Sequence, residues 1–180
     1  MALLGVQRCR RHPCRAACAR IAAHAGARAM QADVSSEADC ARMVEETVAQ
    51  LGGLHVAINN AGVNKNNAAE DTPAEEWDLT FNINTKGVFL CCQAQGRHML
   101  AQGGGNIINT ASMATLLVPH PQKQIAYNAS KAAVVKITQT LGAEWADRGV
   151  RVNCMSPGIV NTALIRVRRL RRARCSCRCL

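Results

Sequence analysis

The sequence predicts an α/β fold, a doubly wound parallel sheet with helices on both faces, and three observations carry that prediction. From residue 27 onward, short apolar stretches alternate with segments of helical periodicity in the order β-α-β-α-β-α-β. The later stretches close on small or polar residues: Asn59-Asn60-Ala61-Gly62, Ser112, and Ser156-Pro157-Gly158. Open parallel sheets bind ligands beyond the carboxyl ends of their strands, so these residues gather along one edge. The third observation is a helix that opens with Tyr127-Asn128-Ala129-Ser130-Lys131 between two of those strands.

The first strand of this run is Ala27–Val34 (ARAMQADV), which ends in a polar turn. Ser35 or Ser36 caps a helix reaching about Leu51, with Glu37 and Asp39 in its first turn, where the helix dipole favours acids. Met43, Val44, Val48 and Leu51 form its buried stripe, and Gly52-Gly53 stops it. Leu54–Ile58 is a short apolar strand. After it, Asn60, Ala61 and Gly62 admit a ligand close to backbone, or else make an ordinary turn. Pro73 sits in the first turn of a long helical region through about Ala101. Asn82 and Asn84 lie inside it among Trp77, Phe81, Val88, Phe89 and Leu90, and an amide among apolar side chains requires a partner. Gly103–Gly105 precedes a strand, Asn106–Ser112, rather than joining a strand to a helix. Ala129, Ala132, Ala133, Ile137 and Leu141 then set the period of a helix over Ala126–Trp145, followed by a Gly149 turn and strand Val150–Met155.

Charge and cysteine divide the chain in three. The formal net charge is +10, but residues 1–32 hold +6 with no acid, residues 166–180 hold +7 with no acid, and the middle carries −3. All five aromatics (Trp77, Phe81, Phe89, Tyr127, Trp145) lie in the middle. Of the ten cysteines, only Cys40, Cys91, Cys92 and Cys154 lie there, and no paired C-x-x-C zinc spacing occurs, so no metal site is expected. These four read as small buried residues in a reducing compartment. No apolar run has the length of a membrane span, so a soluble, cytoplasmic protein is expected. The Arg-rich leader leaves organelle targeting open, although it contains no Ser.

Tyr127 and Lys131 stand four residues apart, on one face of a helix. A phenol titrates near about 10 in water. A fixed ammonium one turn away favours phenolate and tunes the group toward proton transfer at working pH.

Together with Asn59-Asn60-Ala61-Gly62, Asn82-Ile83-Asn84-Thr85-Lys86-Gly87, Ile107–Ser112 and Arg151–Gly158, this stretch resembles the short-chain dehydrogenases/reductases, over roughly Ala27 to Ile165. The resemblance implies Tyr127 as general acid/base and Lys131 as the cation that lowers its pKa and holds the nicotinamide ribose. It implies Ser112 as hydrogen-bond partner of the substrate oxygen, and Asn84 as holder of a water between Lys131 and solvent. Asp33 and Val34 would flank adenine, and Asn60, Ala61 and Gly62 the adenosine ribose side. Pro157, Gly158, Val160 and Thr162 would line the nicotinamide. The implied cofactor is NAD or NADP, with NADP favoured, and the substrate is a small carbonyl or alcohol. The stretch from Ala111 to Lys131, with Pro119-His120-Pro121-Gln122, looks most like members acting on polyols and ketoses, such as sorbose reductase and mannitol dehydrogenase. A 3-oxoacyl-carrier-protein-reductase-like enzyme is the alternative within the family, and the intact family forms homo-oligomers.

The chain departs from the family at both ends. The opening strand and glycine-rich turn, whose helix amino terminus receives the pyrophosphate, is not found, since Gly5 and Gly26 stand isolated. After Ile165 the run Arg166–Arg172 has no amphipathic pattern. The expected organisation is therefore an Arg-rich non-family leader (1–26), the central part of the domain (27–165) and an Arg/Cys-rich non-family tail (166–180). It implies an incomplete Rossmann-like sheet, weak cofactor binding and little or no turnover. A non-catalytic interaction fragment and a nucleic-acid binder using the Arg-rich ends are the readings of other classes. Neither end carries aromatics for base stacking, so no specific nucleic-acid binding is expected.

Overall fold

A computed structural model of the chain describes residues 3–7 and 28–160. Thr162, the tail and the remainder of the leader lie outside the described residues. Strand β1 (Leu3–Gln7) pairs in parallel with β2 (Arg28–Ala32), Leu3 opposite Arg28 and Gln7 opposite Ala32. Strand β1 thus gives β2 a parallel neighbour that the sequence pattern did not predict. The strand Val56–Asn59 pairs only with Gly105–Thr110, so among the described residues the sheet stays incomplete. Leu3-Leu4-Gly5-Val6 is a short apolar run, and a parallel ladder is built by backbone groups, so the arginines that follow do not forbid it.

From β2 onward the elements follow the expected order. Helix α1 (Glu37–Leu51) starts where the Ser36 hydroxyl accepts from the Asp39 amide at 3.3 Å. It stops at Gly52, whose φ of +80° suits a residue without a Cβ. Strand β3 (Val56–Asn59) follows. Helices α2 (Ala74–Phe81) and α3 (Gly87–Ala101) are joined without a break by a π-helical turn, Asn82–Lys86. Strand β4 (Gly105–Thr110) ends two residues before Ser112. Helix α4 (Ile125–Trp145) leads into β5 (Val150–Met155).

Strands β3, β4 and β5 form one parallel sheet in that order, with Ala57 opposite Ile107 and Ile107 opposite Val152. These three side chains share a face, by the two-residue alternation of a strand, and join Val88, Cys92, Met99 and Val134 of α3 and α4 in the main core. Fully burying a side chain such as Met99 or Ile107 contributes about 1.5–3 kcal/mol. On the opposite face Val56 and Ile58 are 55% and 60% exposed. Gly96 lets α3 and α4 approach closely, because a Cβ there would collide with the Trp145 indole. A second cluster, Val34, Cys40, Leu90 and Cys91, joins α1 to α3.

Polar groups also cross-brace this core. Asn59 of β3 donates to Asn109 Oδ1 of β4 at 2.9 Å and exchanges hydrogen bonds with the Gln95 amide of α3 at 3.0 and 2.8 Å. Asn109 in turn donates to Thr138 Oγ1 of α4 at 3.0 Å, and Thr138 donates to the Val134 carbonyl at 2.8 Å. Asn59 is therefore a structural amide, which leaves Asn60 as the first residue of the loop to face outward.

Candidate active site

A cavity of about 440 Å³ opens beyond the carboxyl ends of β3, β4 and β5, lined among others by Gly62, Ser112, Tyr127, Lys131, Pro157 and Gly158. Asn60 and Val160 also line it. A larger apolar hollow of about 670 Å³, between Leu79, Phe81, Phe89 and Ile137, carries none of the candidate residues. The smaller cavity is therefore the candidate site.

Backbone bonds between the strand ends set its floor. The Ala111 amide donates to the Met155 carbonyl at 2.8 Å and the Met113 amide to the Pro157 carbonyl at 3.0 Å, which holds the segment after β4 against the segment after β5. Ser112 sits between these two anchors. Its Oγ accepts from the Ala114 amide at 3.2 Å, opening a short 3-10 turn and leaving the hydroxyl proton available to donate.

Tyr127 lies in the first turn of α4, and Lys131 lies one turn further in. The Lys131 Nζ stands 5.9 Å from the centre of the Tyr127 ring, within cation–π range. Lys131 is 4% exposed, and burial lowers its pKa to about 8. It therefore remains mostly protonated at neutral pH. Its Nζ donates to the Thr110 carbonyl at 2.6 Å. An ammonium carries three N–H groups, so this one bond among the described residues leaves two for a ligand.

Asn84 is wholly buried beside this cation. The π turn brings it to the Val63 backbone, where its Oδ1 accepts from the amide at 2.8 Å and its Nδ2 donates to the carbonyl at 2.9 Å and to Ser130 Oγ at 3.0 Å. The partner that the sequence required for this amide is thus the loop after β3. A Cβ at Gly62 would stand 3.3 Å from Asn84 Oδ1 and 3.6 Å from Lys131 Nζ, so glycine keeps a cradle open there.

Other candidates stand away from the cavity. Asp33 closes the β2–α1 turn, its Oδ1 accepting from the Ser35 amide at 3.0 Å and hydroxyl at 2.6 Å. Val34 is buried against Gly87, and Ala61 packs on the same cluster. Asn64 and Gln124 are among the wall residues not singled out from the sequence. Asn64 Nδ2 donates to Gln124 Oε1 at 3.0 Å, and Gln124 Nε2 donates to Asn128 Oδ1 at 2.9 Å. Asn64 Oδ1 and Thr110 Oγ1 are buried without a hydrogen-bond partner among the described residues. A lone Asn in a polar loop gives no periodic signal, and Gln124 directly precedes the helical period, so neither stood out.

Comparison with known proteins identifies related chains. The chain is 41% identical over 136 residues to an NAD-dependent glycerol dehydrogenase of Listeria innocua, covering 76% of this chain and 53% of that protein. It is 41% identical over 137 residues to a D-threitol dehydrogenase of Mycolicibacterium smegmatis, covering 76% and 52%. It thus spans about half the length of these relatives. The crystal structure of a gluconate 5-dehydrogenase from Burkholderia cenocepacia, in complex with NADP and tartrate, superposes with a TM-score of 0.81 at 27% identity, over 92% of this chain and 64% of that one. A family model described as short chain dehydrogenase matches residues 4–173, starting within the leader and ending within the tail that composition sets apart. The chain belongs to the short chain dehydrogenase family, a family of oxidoreductases.

Proposed function

We propose that the protein transfers hydride between a nicotinamide cofactor, NAD or NADP, and the carbonyl or secondary alcohol of a small polyhydroxylated substrate. The observation that carries this reading is the convergence of Ser112, Tyr127 and a buried, protonated Lys131 on one cavity at the strand ends. The residues present suit the nicotinamide and ribose end of such a cofactor. Lys131 retains two N–H donors for ribose hydroxyls, and the Gly62 cradle leaves room that a Cβ would fill. Pro157, Gly158 and Val160 form the wall proposed to face the nicotinamide ring. Asp33, Val34 and Ala61, away from the cavity, are assigned to the adenosine end, with Asn60 and Gly62 between.

The bound cofactor supplies or accepts the hydride. The protein's own residues handle the proton. In reduction the Tyr127 hydroxyl donates its proton to the substrate oxygen, and in oxidation the phenolate removes it. Lys131 places its charge 5.9 Å from the centre of the Tyr127 ring. Ser112 donates a hydrogen bond to the substrate oxygen and fixes it beside Tyr127. Asn84 braces the loop beneath Gly62 and is assigned the water that returns protons from solvent. The polyol class rests on the names of the glycerol and threitol dehydrogenase relatives.

The test is cofactor reduction with glycerol, tetritols and hexitols, using NAD⁺ and NADP⁺ separately, for the parent and Tyr127→Phe. Turnover by the 180-residue chain is expected to be weak, and its polyol-dependent part should disappear in the Phe variant. Equal turnover by both proteins would remove Tyr127 from the mechanism. Activity confined to 3-oxoacyl thioesters would move the substrate class.

A further inference from the structure

The Cys40 and Cys91 sulfurs lie 3.6 Å apart although the residues are 51 positions apart in sequence, one on α1 and the other on α3. They are 1% and 5% exposed and packed between Val34 and Leu90. We propose that this dithiol is an oxidative modification site, converted by a hydroperoxide into a Cys40–Cys91 disulfide that fastens α1 to α3.

The local arrangement also sets the order of events. Cys40 Sγ lies 3.4 Å from the Val34 carbonyl, to which its thiol donates, and the Cys91 thiol can donate to the Cys40 sulfur. That donation holds the Cys40 thiol below its usual pKa and, with burial, pushes Cys91 up. Cys40 is therefore the thiol that ionises first. Its thiolate sulfur attacks the terminal peroxide oxygen, the O–O bond breaks, and the alcohol leaves with a proton, giving a Cys40 sulfenic acid. Cys91 then attacks that sulfur, the S–O bond breaks, and water departs. Two thiols and one hydroperoxide become one disulfide, one alcohol and one water. The reagent reaches the buried pair by local opening of α1, and closure returns the second sulfur to contact distance. Cys92, adjacent in sequence, is a poorer partner because its sulfur contacts Asn59 and Asn109 on the sheet side of α3. The bond would also pin Val34, and with it the turn that Asp33 closes.

The experiment treats the folded chain with tert-butyl hydroperoxide, blocks free thiols by alkylation, digests with trypsin and maps disulfides by tandem mass spectrometry. Ala29–Arg42 carries Cys40, and Gly87–Arg97 carries Cys91 and Cys92. The expected product joins these peptides through Cys40 and Cys91, lacks two hydrogens relative to their sum, and reverts with dithiothreitol. Unfolding in urea before oxidation should abolish the preference for this pair. Recovery of Cys40 and Cys91 as alkylated thiols while other cysteines oxidise would overturn the proposal. Crosslinking of Cys40 to any other cysteine, or its conversion to sulfinic acid, would also overturn it. Because the product is read in the parent chain, the result does not depend on whether Cys40→Ser folds.

Discussion

Two polar regions lie one residue apart along the same strands and end in opposite conditions. At Asn59 and Asn109 every amide is engaged, through Gln95, Thr138 and each other. One step further, Ser112 and Lys131 are buried and Thr110 is half-buried, and part of their hydrogen-bonding capacity is unused. Lys131 uses one donor of three, while Thr110 Oγ1 and Asn64 Oδ1 have no partner among the described residues. A closed network lowers the free energy of the fold. An open one raises it and leaves hydrogen-bonding capacity for a ligand. On the proposed function, the difference separates polar groups engaged in the fold from polar groups left for a ligand.

The comparison breaks most visibly at Tyr127. Removing the hydroxyl assigned to proton transfer while keeping the ring should lower the turnover this chain sustains by about 10²–10⁴-fold. Thermal unfolding of Tyr127→Phe should match the parent, since the hydroxyl is not part of the closed network. Asn109→Ala should do the reverse. It removes the acceptor for Asn59 and the donor to Thr138, and should cost about 1–3 kcal/mol in denaturant unfolding while the folded fraction keeps its cofactor affinity.

Lys131→Met sharpens the contrast, because here function and stability have opposite signs. The pKa lowered from 10.5 to about 8 means that the folded state binds the proton less well than the unfolded chain. For this group, then, unfolding free energy is lowest below pH 8, rises between about 8 and 10.5, and levels off above. The Thr110 carbonyl at 2.6 Å offsets part of that penalty. Lys131→Met should therefore raise stability at neutral pH by about 1–2 kcal/mol and abolish the rise. Unfolding titrations at pH 7 and pH 10 would check both. Asn64→Ala should have the smallest effect, within about 0.5 kcal/mol, because it removes one hydrogen bond and one unpartnered acceptor together.

Much of this contrast was legible in the sequence, for identifiable reasons. Ser36 and Gly52 bound α1 because capping and a positive φ are local requirements. Tyr127 and Lys131 share a face because helical spacing alone ensures it. Asn84 announced its need for a partner by its apolar neighbours, but the partner, the Val63 backbone, is a tertiary fact. The same limit hid the roles of Asn59 and Asn60, which are chemically identical in sequence and are sorted only by the alternation of β3. The strand Leu3–Gln7 was obscured by averaging charge over a window dominated by arginine. Gln124 was missed because its burial depends on the loop bearing Asn64.

The open network around Lys131 is the proposed nicotinamide ribose site. Nicotinamide mononucleotide, which carries only that end of the cofactor, probes it directly. Amide NMR spectra of the 180-residue chain, titrated with this compound, should show shifts concentrated at Gly62, Ser112, Lys131 and Gly158. Lys131→Met should remove them while leaving the rest of the spectrum in place. Shifts elsewhere on the surface, or an unchanged response in the Met variant, would contradict the account.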